Sequence, residues 1–173
     1  DPSFYYKMKL KEENTFLVVW TTMPFTLVTD ELIGVNPEAD YAYVSIENEM
    51  WIVGYDRLNG LMDELEIQNF TVEKVIKGIE LDGKRYHHPL LAMIAGLKEL
   101  SDDKKVHFVV AENFVDASTG SGIVHLSPAN GQEDFDIAVK RNVPIFVPIN
   151  DKVEFTEKAG IFSGKFVRDS DLL

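Results

Sequence analysis

Two stretches of this chain concentrate side chains that can do chemistry. The first is Ala117–Phe135, which packs three glycines, several hydroxyls, a histidine and a carboxylate into one turn-rich run. Gly120 and Gly122 let backbone approach backbone, or a ligand, without Cβ interference. Ile123-Val124 carries a short buried-strand signal, so His125 is expected at or just past a strand end. Asn130 reads as a helix N-cap, with Glu133 three residues on completing a capping-box-like pair. Asp134 then falls in the first turn of a helix over Gly131–Lys140, where the macrodipole favours negative charge. A histidine so placed can act as base, steric wall or hydrogen-bond donor, and a carboxylate can grip an ammonium group. A satisfied core histidine and a helix-capping aspartate are the plainer alternatives, and the residues alone leave both open.

The second stretch is Trp20-Thr21-Thr22-Met23-Pro24-Phe25-Thr26, followed by Thr29-Asp30. Proline cannot donate to a strand ladder, so Pro24 ends the run and leaves hydroxyls beside free backbone groups. Each hydroxyl can donate and accept, which suits ribose hydroxyls and base edges. Threonine is also simply common in strands and turns. His87-His88 is a weaker candidate. Neighbours on a strand face opposite ways, no cysteine is available, and His107 is distant in sequence, so zinc has little support and the pair reads as structural or exposed. No serine sits in a nucleophile-elbow setting, and Gly120-Ser121-Gly122 lacks the lysine of a phosphate-binding loop.

The elements that must position these residues are mostly short strands. Phe4–Lys11 and the strongly apolar Phe16–Thr21 read as strands, and Tyr41–Ile46 with Met50–Val53 as a hairpin around Glu47-Asn48-Glu49. Asp56–Leu65 has helical spacing at Leu58, Leu61, Met62 and Leu65, a core stripe. Phe70–Lys77 alternates as a strand, and Leu81-Asp82-Gly83-Lys84 carries the Asp-Gly mark of a tight hairpin. Pro89–Leu100 fits either loop or short helix. Val106–Val110 reads as a strand, Val143–Pro148 as a strand interrupted by prolines, and the tail through Gly160 and Gly164 as short strands and turns. The expected fold is therefore mainly β and barrel-like, with two or three peripheral short α-helices.

At 173 residues, 45 % hydrophobic and 27 % charged, the chain is expected to form one domain, residues 1–173. It starts at Asp1 and is expected to be excised from something longer. With 17 basic against 29 acidic residues, the net charge of −12 disfavours free binding to duplex DNA or any phosphate backbone. No apolar run suits a membrane helix, and the absence of cysteine excludes disulfides and thiol catalysis and fits a reducing cytoplasm.

Taken together, the two stretches resemble a known family. Val19-Trp20-Thr21-Thr22-Met23-Pro24-Phe25-Thr26-Leu27 is similar to the threonine-rich motif of the editing (CP1) domain of class I aminoacyl-tRNA synthetases for branched aliphatic amino acids. Gly120-Ser121-Gly122-Ile123-Val124-His125-Leu126-Ser127-Pro128-Ala129, with Glu133-Asp134-Phe135, resembles that domain's second signature. Gly78–Gly83, Tyr86, His88-Pro89-Leu90 and the opening Asp1–Leu10 also fit, so the likeness spans essentially the whole chain. His125 resembles the isoleucyl branch, where valyl enzymes carry lysine and leucyl enzymes an apolar residue; Asn130-Gly131 resembles that branch too.

The resemblance implies hydrolytic proofreading of valine mischarged on tRNA(Ile), because one missing methylene is worth only about 1–3 kcal/mol to a synthetic site. It implies that Asp134 binds the substrate's α-ammonium and that His125 forms the wall admitting valine but not isoleucine. Thr21, Thr22 and Thr26 would contact the terminal adenosine and help place the attacking water, with Asp30 and Gly122 among the substrate contacts. No metal or organic cofactor is implied. The implied partners are the 3′ CCA end of the tRNA and the remainder of a synthetase, whose own His-Ile-Gly-His and Lys-Met-Ser-Lys-Ser signatures are absent here. Met23, Phe25, Asp30 and Ser121 stand where the family usually has Thr, Trp, Asn and Thr, and Asp30 is expected to add negative charge at a pocket mouth. A valyl-type domain removing threonine, or a non-catalytic module holding an aminoacyl-adenosine, are the alternatives.

Overall fold

The computed structural model describes residues 3–167. Eight strands follow in chain order: β1 Phe4–Lys9, β2 Phe16–Thr21, β3 Leu32–Val35, β4 Asp40–Ile46, β5 Glu49–Gly54, β6 Thr71–Lys77, β7 Phe108–Ala111 and β8 Val124–Leu126. Three α-helices accompany them: α1 Leu58–Glu64, α2 Ala95–Asp102 and α3 Gln132–Lys140. The strands form one curled sheet in the order β6-β4-β5-β2-β8-β3-β7, with β1 on β2. The fold is mainly β, as the alternating apolar runs require. The chain divides into two compact units, one of residues 3–22, 33–87 and 108–125, the other of 23–32, 88–107 and 126–167.

The first unit is built on β2. Its Leu17, Val18 and Val19 are all buried, because the sheet is covered on both faces. β1 pairs antiparallel along the whole of β2. The opposite edge of β2 is shared in sequence: Phe16 and Leu17 pair parallel with Trp51 and Ile52 of β5, then Trp20 with Val124 of β8. β4 and β5 form the expected hairpin, from Ile46↔Glu49 to Tyr41↔Gly54. Alternate residues Ala42, Val44 and Ile46 of β4 face α1, whose Leu58, Leu61 and Met62 lie three and four positions apart and close the cluster. Burying side chains of this size stabilises by about 1.5–3 kcal/mol each.

Asp82-Gly83 does turn, with Gly83 at φ 81°, but it makes no hairpin. A 3-10 turn over Gly78–Leu81 separates it from β6, and the turn docks on β7 instead. There Gly83 N–H donates to the Val109 carbonyl, and Ala111 N–H donates to Asp82 Oδ2.

The second unit packs Val28, Ile94, Leu97, Phe146, Phe155, Ala159 and Phe162 into its own core. Pro89–Leu100 resolves into a 3-10 turn, Leu91–Met93, and α2. Val143–Pro148 forms no strand. Pro144 and Pro148 remove two ladder donors, and the Phe146 N–H donates instead to Glu31 Oε1 at 2.7 Å. The tail is a 3-10 segment, Glu157–Phe162, with the isolated bridges Ile149↔Phe155 and Glu154↔Phe166. No helix among the described residues is long and apolar enough to cross a membrane.

Candidate functional site

The expected site residues fall into two groups, one in each unit. In the first unit, Thr21 ends β2 and is buried, paired with Phe4 of β1, while Thr22 is exposed. The parallel pairing Trp20↔Val124 places Thr21 and His125 at neighbouring positions of adjacent strands. His125 is half-buried in the middle of β8, one residue inside the expected strand end.

The loop before β8 is held by groups that the sequence did not single out. Arg57 Nε donates to the Gly120 carbonyl at 2.8 Å, and the Tyr41 hydroxyl donates to the Gly122 carbonyl at 2.7 Å. Asp116 accepts from Ser118 N–H, Ser118 Oγ and Thr119 Oγ1. The Ser118 and Thr119 hydroxyls, with the Ser118 amide, hold its carboxyl down at about 2. Asp116-Ala-Ser-Thr is the pattern of an Asx turn, a signal legible in sequence. Both glycines are required here. Gly120 has φ 58° and lies flat on Trp20, whose ring would be 2.3 Å from an added Cβ. Gly122, at φ 75°, crosses the end of β5, where Gly54 N–H donates to the Ser121 carbonyl at 2.7 Å.

In the second unit, Pro24 opens a 3-10 turn over Pro24–Thr29. Its hydroxyls bond backward along the chain: Thr26 Oγ1 donates to the Met23 carbonyl at 2.6 Å, and Thr29 Oγ1 to the Thr26 carbonyl at 3.0 Å. Thr29 Oγ1 also accepts from Ser127 Oγ at 2.6 Å and from Asn130 Nδ2 at 2.7 Å. Ser127 N–H donates to Asp134 Oδ2 at 2.8 Å. One continuous polar network thus ties the threonine turn to the carboxylate of Asp134, which is half-buried in the first turn of α3.

The expected capping box is absent. Gly131 is the N-cap and makes no side-chain cap bond. The Asn130 side chain is drawn away to Thr29 and Ser127, two partners that no local pattern reveals. Thr29, Ser127 and Asn130 lie within the two stretches the sequence singles out, but their mutual bonding is not legible there.

Asp30 does not lie at a pocket mouth. It is fully buried, because its backbone closes the 3-10 turn and leads directly into β3. Glu31 beside it is also fully buried, and burial pushes its carboxyl up to about 8, with Asp30 adding to the shift and the Phe146 amide opposing it. Near Asp30 the fold brings His88 and His107 together, ring centroids 5.0 Å apart. Ligand atoms of Asp30, His88 and His107 lie within 4.8 Å of one another. The His88 ring is committed to backbone: Leu90 N–H donates to Nδ1, and Nε2 donates to the Leu27 carbonyl at 2.8 Å. That leaves His88 no lone pair for an ion, and His107 Nε2 likewise donates to the Asp30 carbonyl at 3.2 Å. The trio is a structural cluster that fixes the threonine turn from behind. His87 is exposed.

The chain is 38 % identical over 180 residues to an isoleucine–tRNA ligase of Methanococcus maripaludis and 39 % identical over 180 residues to that of Methanocaldococcus jannaschii, covering 99 % of this chain in each case. It spans about 17 % of the length of these relatives. Among solved structures it matches GlLeuRS-CP1 with a TM-score of 0.69 at 16 % identity, covering 99 % of this chain and 92 % of that one. The Plasmodium knowlesi cytosolic leucyl-tRNA synthetase editing domain matches with a TM-score of 0.63 at 15 % identity, over 82 % of this chain and 63 % of that one. No family model matches the chain.

Proposed function

We infer the function from one premise: the chain is an editing domain of the class I aminoacyl-tRNA synthetase family, on its isoleucyl branch. On that premise it hydrolyses the ester that joins valine to tRNA(Ile). Water adds to the ester carbonyl, the bond to the terminal ribose oxygen breaks, and free valine and uncharged tRNA leave. The ester is already activated, so a positioned water, hydroxyl donors and the substrate's own vicinal hydroxyl suffice, and the reading calls on no metal or organic cofactor.

The observation that carries this reading is Asp134. It is a half-buried carboxylate on the first turn of α3, with Oδ2 held by the Ser127 amide. A carboxylate so fixed suits the α-ammonium that every aminoacyl ester bears. His125, half-buried beside Thr21, supplies the wall that gauges the side chain. The hydroxyls of Thr21, Thr22 and Thr26 serve the adenosine and the water, with Asp30 and Gly122 supporting from the turn and the loop. The −12 charge fits a domain that receives only an unstacked single-stranded 3′ end while the rest of a synthetase holds the tRNA body. Such work belongs in the cytoplasm, where tRNA is charged.

Single-turnover deacylation of Val-tRNA(Ile) tests the assignment. Asp134→Ala should abolish it by removing the ammonium anchor, whereas a near-normal rate would place the anchor elsewhere. Absence of hydrolysis in the parent chain, with tight retention of an aminoacyl-adenosine, would favour the non-catalytic binding module.

A further inference from the structure

We propose that Thr29 is a positioning residue for substrate binding: its hydroxyl is the hub that sets the Asp134 carboxylate for the ammonium group. A threonine hydroxyl offers one donor and accepts two hydrogen bonds. Thr29 uses all three, donating to the Thr26 carbonyl and accepting from Ser127 Oγ and Asn130 Nδ2. Thr29 is 1 % exposed and Ser127 2 % exposed, so solvent does not compete for the bond between them, while Asn130 reaches in from an exposed position.

Each partner acts on a different part of the frame. Thr26 and Thr29 hold the 3-10 turn, Ser127 carries the amide that grips Asp134 Oδ2, and Asn130 is the second residue before α3. Asn130 Nδ2 also donates to Ser127 Oγ at 2.8 Å, which closes a three-membered ring of side chains. The sequence separations are 98 and 101 residues, so this ring is a tertiary device and not a local cap. Turn and helix start are thereby locked to one hydroxyl, and the carboxylate inherits its position from them.

The inference rests on Asp134 as the ammonium anchor, and the test separates the two. Titration calorimetry of this chain would use a non-hydrolysable amide-linked valyl-adenosine and its isovaleryl counterpart, which lacks only the amino group. The parent chain should prefer the aminated compound, and Asp134→Asn should lose that preference. Thr29→Val keeps the shape but strands three polar partners. It should weaken the aminated compound by about 10- to 100-fold while leaving isovaleryl-adenosine unchanged, and Thr29→Ser should restore the preference. A variant damaged only in its packing would lose both compounds alike, which would overturn the proposal. So would Thr29→Val retaining the full preference while Asp134→Asn loses it. A parent chain with no preference would instead remove the anchor itself. Should Thr29→Val fail to fold, Ser127→Ala, which keeps the amide on Asp134 and removes one spoke of the hub, must show the same selective loss.

Discussion

Replacing Glu31 by glutamine should remove a pH dependence that the parent chain carries. Glu31 is fully buried, its Oε1 accepts the Phe146 N–H, and among the described residues no group bonds Oε2. Burial raises its carboxyl from the ordinary 4.5 to about 8, so folding draws in a proton at neutral pH. The sign follows directly: the contribution is fully present below pH 4.5 and is lost as pH rises towards 8. At pH 7, about 2.5 units above 4.5, the uptake costs about 3–4 kcal/mol, at 1.4 kcal/mol per unit. Glutamine needs no proton and still presents an oxygen to Phe146, although its amide donors cost about 1–3 kcal/mol where unpartnered. The absolute gain at pH 7 is therefore small, but its slope is distinctive. The stability of Glu31→Gln minus that of the parent should climb by about 1.4 kcal/mol per pH unit between pH 5 and 7.5. Taking the difference isolates the Glu31 carboxyl together with the charge of Asp30 that reinforces its shift. Urea unfolding at pH 5, 6, 7 and 8 measures it. A flat difference would show that Glu31 is ionised in the fold and would refute the reasoning.

His125→Ala should admit isoleucine, raising Ile-tRNA(Ile) deacylation at least about tenfold, the lower end of what one methylene contributes to discrimination; an unchanged Val-to-Ile ratio in the same assay would reject the gauge role. Gly120→Ala drives a Cβ into the Trp20 ring at 2.3 Å and should cost about 1–3 kcal/mol in chemical denaturation, added to the strain of φ 58°. Gly83→Ala, at φ 81° with nothing within 4 Å of the new Cβ, isolates that backbone strain, so equal losses at the two sites would contradict the packing account.

What the chain discloses in sequence is what depends on near neighbours. β2, the β4–β5 hairpin, α1 and α3 follow from period-2 or 3.6 patterning and from a turn or proline at the right end. The misreadings all turn on distant partners. Asp82-Gly83 looks like a hairpin until β7, some 26 residues later, captures its backbone. Val143–Pro148 looks like a strand until Glu31, 115 residues earlier, takes the Phe146 amide. Asn130 has the residue type of a cap but spends its side chain on Thr29. The site divides in the same way. Thr21, Thr26, His125 and Asp134 were visible as residue types in a family-like order. The burial of Asp30 and the Thr29 hub arise only from tertiary packing.

The central claim is that this chain removes valine and spares isoleucine, and the direct measurement is the pair of single-turnover rates on Val-tRNA(Ile) and Ile-tRNA(Ile). Valine should be released well above the spontaneous rate and isoleucine close to it. Equal rates at background for both esters, with the chain inside a full synthetase as well as alone, would contradict the account.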